Sequence, residues 1–369
     1  MAKKQLSDGS KAIAQAAIDA GCRFYASYPI QPNTHLIEAM AKEIGAAGGV
    51  QINAESEGEA ISMVWGAAAT GSRAMCSTTA TGMSLMQEAM SEMFAAQIPY
   101  VFVHMSRGQT EYRIGTRGGG HGEYRYISYA PHTVQEAYDL TRLAFYNAHK
   151  FTTPVLLQSD YVLSHTVEAV DFVDLDESDL PNLSDRAIDG ARGRVPRVNS
   201  FLFGTRTRDE MRKAREEEGG YGGHQERSLD RIAYLESVVP PLAETGHLDN
   251  ADLVVIAFGY VARFVKYAVK LLRDEGLRVG FVRPITLWPF PKEAVTEAAK
   301  RAKHIAVFEL NGGQMVDDVR LTVLGTVPVE FIGRISQDSS GFGIGKAIEI
   351  PELTAKIRET YERMAPVGA

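Results

Sequence analysis

Only two cysteines, Cys22 and Cys76, occur in 369 residues. Two thiols cannot ligate an iron–sulfur cluster alone, and no secretory context suggests a disulfide between them. Positive charge is also short. The formal net charge of −7 gives no electrostatic reason to expect nucleic acid or a membrane surface as partner. No apolar run is long enough to span a bilayer. The opening stretch "MAKKQLSDGSKAIAQAAIDAG" is charged, then helical in pattern, and has no signal-peptide core, so the expected location is the cytoplasm. The motifs GxSxG, HExxH and CxxC are absent, and His121 has no partners at metal-ligand spacing, so no metal site is expected on this chain.

What is present is the composition of a globular protein, 45% hydrophobic and 23% charged. Short β-rich runs alternate with helical patterns. "FYASYPI" precedes a helix starting near Thr34, and "GVQINA" precedes "SEGEAISMVWGAAATG", where Ile61, Val64, Trp65 and Ala68 share a helical face. "RAMCSTT", "PYVFVHM" and "TPVLLQSD" continue the alternation, with the amphipathic "TVQEAYDLTRLAFYNAHKF" before the last. Repeated βα units predict a doubly wound, mostly parallel sheet. The pattern breaks down near Glu177 and resumes at "ADLVVIAFG" with a second α/β series. The expected division is a first domain over 1–176, a crossover over 177–238 with one helix near Arg227–Val238, and a second domain over 239–369. The strand–Gly–helix stretch "AFGYVARF" lacks both GxGxxG and GxxxxGK[ST], which argues against a nucleotide loop there.

Several residues could carry chemistry. In "YPIQPN", Pro29 and Pro32 stiffen a strand-to-helix turn around Gln31, with Asn33 or Thr34 placed to cap the next helix. That is either a rigid connection or a ligand-facing loop. Glu55, Glu57 and Glu59 crowd the start of one helix. Either the helix dipole favours them there, or one is a buried carboxylate with a functional role. Arg107 follows the strand "YVFVHM", as a solvated charge or as a clamp for a substrate carboxylate. Beyond it, "GQTEYRIGTRGGGHGEYR" carries three consecutive glycines and further arginines, and reads as a mobile loop or as close backbone approach to a ligand. Met83, Met86, Met90 and Met93 lie near helical spacing and are expected to fill the core.

Taken in order, "YPIQPN", "NAESEGEAISMVWGAA", "STTATGMSLMQEAMS", "MSRG", "TRGGGHGEYR", "TPVLLQSD", "VRPITLWPFP" and "ELNGGQMVDDVR" resemble the alpha subunits of 2-oxoacid:ferredoxin (acceptor) oxidoreductases. The likeness is nearest the 2-oxoisovalerate and 2-oxoglutarate types. It implies an α/β fold with a pyrimidine-binding domain for thiamine diphosphate and a transketolase C-terminal-like domain. It implies that Glu57 activates the cofactor by hydrogen bonding its aminopyrimidine ring, and that Thr81 also contacts the cofactor. Arg107 would hold the 2-oxoacid carboxylate, with Tyr28, Pro29 and Gln31 lining the substrate. Gln31 stands where the family has a threonine, and the loop from Gly108 to Thr116 is shorter than in the 2-oxoisovalerate type. A block "EHDE", expected in the crossover, is missing.

The resemblance further implies a beta subunit that binds the diphosphate and its Mg2+, a gamma subunit, and a ferredoxin-like iron–sulfur subunit. Coenzyme A is the co-substrate. Electrons would pass to ferredoxin, or to NAD through an NAD(H)-linked flavoprotein. The expected reaction is oxidative decarboxylation of a branched-chain or aromatic 2-oxoacid, such as phenylglyoxylate, to acyl-CoA and CO2. Arg113 or Arg117 could instead serve a second carboxylate, which keeps 2-oxoglutarate open. A non-oxidative thiamine-dependent decarboxylase or synthase, and an inert assembly subunit, are the remaining alternatives.

Overall fold

The computed structural model describes residues 3–173, 220–333 and 348–364. Most of the expected crossover, residues 177–219, lies outside the described residues. Strands β2 (Phe24–Ser27), β3 (Val50–Asn53), β4 (Ala74–Thr78), β5 (Val101–Ser106), β6 (Ile127–Tyr129) and β7 (Val155–Asp160) build one sheet. With β12 (Thr286–Trp288) its order is β12-β6-β7-β5-β4-β2-β3, and every pair except β12–β6 is parallel. β4, β5 and β7 are buried along their whole length, as parallel strands covered on both faces must be. The methionine series packs as expected, with Met83, Met86, Met90 and Met93 all buried.

The second sheet has the order β14-β13-β10-β11-β9. It contains β9 (Ala243–Gly246), β10 (Leu253–Ile256), β11 (Val279–Pro284), β13 (His304–Val307) and β14 (Val329–Phe331), with only β9 antiparallel. The helix Val261–Asp274 covers it with Val261, Val265, Ala268, Val269 and Leu272, spaced three and four apart. Two hydrophobic clusters form, one extending through the first domain into the second and a smaller one beneath the second sheet.

Two features depart from the expected layout. The opening residues form β1 (Lys3–Asp8), paired antiparallel with β8 (Val167–Phe172), before the helix Gly9–Asp19 begins. And β12 (Thr286–Trp288), within the stretch expected in the second domain, joins the first sheet beside β6. The helix expected near Arg227–Val238 runs over Gly220–Val238. It touches both units: Arg231 donates to the Thr152 carbonyl at 3.2 Å, and Glu236 accepts from Lys292 at 2.8 Å.

A charge cluster locks the two units. Arg283, 2% exposed, donates to both Glu136 oxygens at 2.7 and 3.0 Å and to Glu244 at 2.8 Å. His132 Nδ1 lies 2.7 Å from the same Glu136 carboxylate. Burial alone would raise the Glu136 carboxyl. Hydrogen bonds from His132 and Arg283, with the Arg283 charge, outweigh it and bring the carboxyl down to about 2.

Candidate active site

The loops that carry the sequence-predicted residues all leave the C-terminal edge of the first sheet. They follow β3, β2, β4 and β5, which are neighbours. The chain places β3 on one side of β2 and β4 on the other, so the direction of winding reverses between β2 and β4. Ligand crevices of open α/β sheets lie at such reversals.

Glu57 opens the helix Glu57–Ala69, which Ser56 caps by accepting from the Glu59 amide at 3.2 Å. Of the three glutamates at this helix start, Glu55 and Glu59 are exposed and Glu57 alone is buried, at 6% exposure. Dipole attraction would act on all of them, so it does not explain the burial of one. Among the described residues the Glu57 side chain has no hydrogen-bond or ion-pair partner. A carboxylate set in a buried side chain and left without a protein partner is available to meet a ligand. Burial, and then the neighbouring Glu57, push the Cys76 thiol upward.

Across from Glu57 stands the turn after β4. Thr78 and Thr79 are fully buried, and neither hydroxyl has a partner. Gly82, in the helix Ala80–Leu85, leaves the space between. A Cβ there would sit 2.1 Å from Thr78 Oγ1 and 2.7 Å from Glu57 Oε1. The site thus gathers a carboxylate, two orphaned hydroxyls and a glycine gap, a donor set that fits an aminopyrimidine-like group with ring nitrogens and an exocyclic amine. Thr81 lies in the first turn of the helix Ala80–Leu85, with its side chain exposed. Sequence reasoning passed over Thr78, Thr79 and Gly82. The available signal was the run of hydroxyls and glycine in "STTATG" directly after a buried strand.

The turn after β2 is held from below. Asn33 stands at the helix N-cap position, yet its side chain makes no capping bond. It donates instead to Ser27 Oγ at 2.8 Å and to the Ser77 carbonyl at 3.2 Å, tying the turn to β4. Pro29 and Gln31 are exposed above it, Tyr28 is half-buried, and the Gln31–Pro32 peptide is cis. Arg107 reaches this turn from β5: Nε and Nη2 donate to the Gln31 carbonyl at 3.0 and 2.5 Å. Arg107 and residue 31, expected to share a substrate, are therefore in contact through the main chain.

The stretch beyond Arg107 is ordered by specific contacts. Residues Tyr112–Arg117 form a short helix. Arg113 pairs with Asp317, and Arg117 pairs with Asp318 at 2.5 Å. Both cations are thus held by the second domain. The triple glycine packs on Tyr124 and Gln87: the Gly119 amide donates to Gln87 Oε1 at 2.8 Å, and a Cβ on Gly118 (φ +73) would meet the Tyr124 ring. Close backbone approach to protein explains those glycines. His121 is engaged by Glu92 at 2.8 Å, and the described residues hold no group of three metal-ligating side chains.

Comparison with known proteins agrees with this layout. Residues 15–221, more than half of the chain, match the family described as "Pyruvate flavodoxin/ferredoxin oxidoreductase, thiamine diP-bdg". Residues 251–340 match "Pyruvate:ferredoxin oxidoreductase core domain II". The ketoisovalerate oxidoreductase subunit VorB of Methanothermobacter marburgensis is 33% identical, over 96% of this chain and 97% of that protein. The 2-oxoglutarate synthase subunit KorA of the same organism is also 33% identical, over 91% of this chain and 95% of that one. Among solved structures, the 2-oxoglutarate:ferredoxin oxidoreductase of Magnetococcus marinus has the same fold (TM-score 0.72, 20% identity), covering 97% of this chain and 65% of that chain. A split-gene transketolase is a more distant neighbour, with TM-score 0.56 and 12% identity over 96% of this chain and 98% of that one.

Proposed function

The chain belongs to the pyruvate flavodoxin/ferredoxin oxidoreductase family, as an alpha subunit of the thiamine-diphosphate-dependent 2-oxoacid:ferredoxin oxidoreductases, and from that premise we propose that its substrate is a 2-oxoacid with one carboxylate and an apolar side chain, branched or aromatic. The single observation behind this choice is the pairing of Arg113 and Arg117 with Asp317 and Asp318. Those were the arginines open to a second carboxylate, and each is ion-paired with an aspartate of the second unit. The relatives do not decide the point, since the ketoisovalerate and 2-oxoglutarate proteins are equally similar.

Glu57 is assigned to the pyrimidine end of the cofactor, with Thr78 and Thr79 donating or accepting beside it, and Thr81 on the exposed side of the helix that follows. The bound thiamine diphosphate supplies the nucleophilic carbon and the electron sink that decarboxylation requires. The chain's own residues supply orientation and charge. The Glu57 carboxyl can exchange a proton with a ring nitrogen or hold a hydrogen bond from it. Gly82 keeps that face open. Arg107 spends two N–H groups on the Gln31 carbonyl, and its remaining guanidinium donors are free to hold a substrate carboxylate. Gln31, at the tip of the turn with Tyr28 and Pro29, would meet the substrate's other end.

The division into a pyrimidine-binding domain (1–176), a crossover (177–238) and a transketolase C-terminal-like domain (239–369) is kept as an assignment. The diphosphate, its Mg2+ and the iron–sulfur clusters are assigned to partner subunits: a beta subunit, a gamma subunit and a ferredoxin-like subunit. The cysteine content supports this, because both thiols are buried and single. Coenzyme A is assigned as co-substrate.

The test is a substrate profile of the purified complex. CoA-dependent ferredoxin reduction is measured with 2-oxoisovalerate, phenylglyoxylate and 2-oxoglutarate. A kcat/KM for one of the first two at least tenfold above that for 2-oxoglutarate is expected, because a second carboxylate would bind there without a counter-charge of its own. A preference for 2-oxoglutarate overturns the proposal.

A further inference from the structure

The motif "ELNGGQMVDDVR" supplies Asp317 and Asp318 to the arginine pairs, and its first half closes over the loop that carries Arg107. The second sheet has its own reversal of winding. β11 lies on one side of β10, and β13 on the other. The crevice between the ends of β10 and β13 is where such a sheet takes a ligand. Here it is filled by a residue of the first domain. Gln109 is buried at 5% exposure and adopts a left-handed backbone (φ 61), which a glutamine rarely takes without compensating contacts. Its Nε2 donates to the Phe258 carbonyl, after β10, at 2.9 Å. Its Oε1 accepts from the Leu310 amide, after β13, at 3.4 Å, and its main-chain carbonyl accepts from Asn311 at 3.0 Å. On the other side, its amide donates to Ser106 Oγ at 2.8 Å.

The crevice also carries a hydrogen-bond network of its own. Glu309 is fully buried and accepts from Asn311 Nδ2 and from the amides of Gln314, Met315 and Val316, all within 2.9–3.0 Å. Gln314 then donates to the Thr110 carbonyl at 2.6 Å. Arg107 lies two residues before Gln109 and has a different anchor, the Gln31 carbonyl. The reach of the arginine is therefore set at both ends, by the first sheet through Gln31 and by the second through Gln109.

We propose that the second domain acts as a positioning clamp for the substrate arginine, with Gln109 seated as an internal ligand in the crevice between β10 and β13. Gln109 is a positioning residue and touches neither substrate nor cofactor. The inference rests on the reading of Arg107 as the carboxylate clamp.

The experiment uses the whole complex with Gln109→Ala, the near-isosteric Gln109→Met, Arg107→Ala, and the double variant Gln109→Ala/Arg107→Ala. Each is assayed for the KM of the 2-oxoacid, the KM of coenzyme A, kcat and subunit assembly. Both Gln109 variants are expected to raise the 2-oxoacid KM by about fivefold or more, since a buried amide contributes that much through its hydrogen bonds. The coenzyme A KM and assembly should hold. In the double variant, Gln109→Ala should add less than about twofold to the effect of Arg107→Ala, because the two act on one contact. An unchanged 2-oxoacid KM in Gln109→Met, or full additivity, overturns the clamp while leaving the reading of Arg107 standing. A normal 2-oxoacid KM in Arg107→Ala overturns that reading itself, and the clamp with it. A complex that fails to assemble with Gln109→Met also overturns the clamp, since the residue would then hold the fold rather than aim the arginine.

Discussion

At the scale of single residues, the site depends on what a glycine leaves out. Gly82→Ala would gain intrinsic helix preference of up to about 1 kcal/mol. Its new methyl would also lie 2.1 Å from Thr78 Oγ1 and 2.7 Å from Glu57 Oε1, in the gap that faces the carboxylate. The variant is expected to lose some stability, on the order of 1–3 kcal/mol, from this overpacking, and to lose thiamine diphosphate affinity in the complex by at least tenfold, or about 1.4 kcal/mol. Titration calorimetry of the complex measures this, and an unchanged affinity would remove Gly82 and its neighbours from the cofactor site. Residues of this kind were only partly legible. Composition placed three glutamates at one helix start and gave no means of separating them. The family likeness pointed to Glu57, and burial of that one side chain, without a partner, supports the choice. Thr78 and Thr79 were passed over because a hydroxyl on a buried strand end looks the same in sequence whether or not the fold satisfies it.

At the scale of elements, the periodic segments were readable and the short ones were not. The βα units of the first sheet follow from apolar runs next to helical patterns. β6 and β12 have three residues each, too few to show a period, and their pairing joins segments more than a hundred residues apart in sequence. The ribbon of β1 and β8 was missed because the charged "KKQLSD" shows no apolar alternation before a helical pattern begins. The helix Tyr112–Arg117 sat inside a stretch whose glycines suggested a loop. Elements from distant segments are held together by charge at Arg283. Glu136 keeps its carboxylate at about 2, below its ordinary 4.5, so its contribution to stability is present above about pH 4.5 and is lost as the pH falls toward 2. Glu136→Gln leaves the buried Arg283 guanidinium short of one counter-charge. A loss on the order of 2–4 kcal/mol is expected at pH 7, shrinking steadily below pH 4.5. Urea unfolding of the isolated chain at several pH values checks it. A difference that is independent of pH would assign the effect to packing instead.

At the scale of the whole molecule, the two-unit organisation was visible in the break near Glu177 and the restart at "ADLVVIAFG". The coupling between the units was not. It lies in contacts such as Gln109 with Phe258 and Leu310, Arg117 with Asp318, and Arg283 with Glu136, none of which has a sequence pattern. Arg113 and Arg117 looked like spare cations for a substrate until the fold paired them across the interface. Among the described residues no helix is long and apolar enough to cross a membrane, in keeping with the absence of long apolar runs. The central assignment is Glu57 as the group that activates thiamine diphosphate in the assembled complex. Its direct test is exchange of the cofactor's C2 proton with deuterium, followed by NMR after acid quench, in the parent complex and in Glu57→Gln. Glutamine fills the same space and keeps an acceptor, but it cannot take or give the proton. Exchange slowed by at least a hundredfold (about 2.7 kcal/mol), with assembly and cofactor content unchanged, is the expected result. Exchange at the parent rate in a fully loaded Glu57→Gln complex would contradict it.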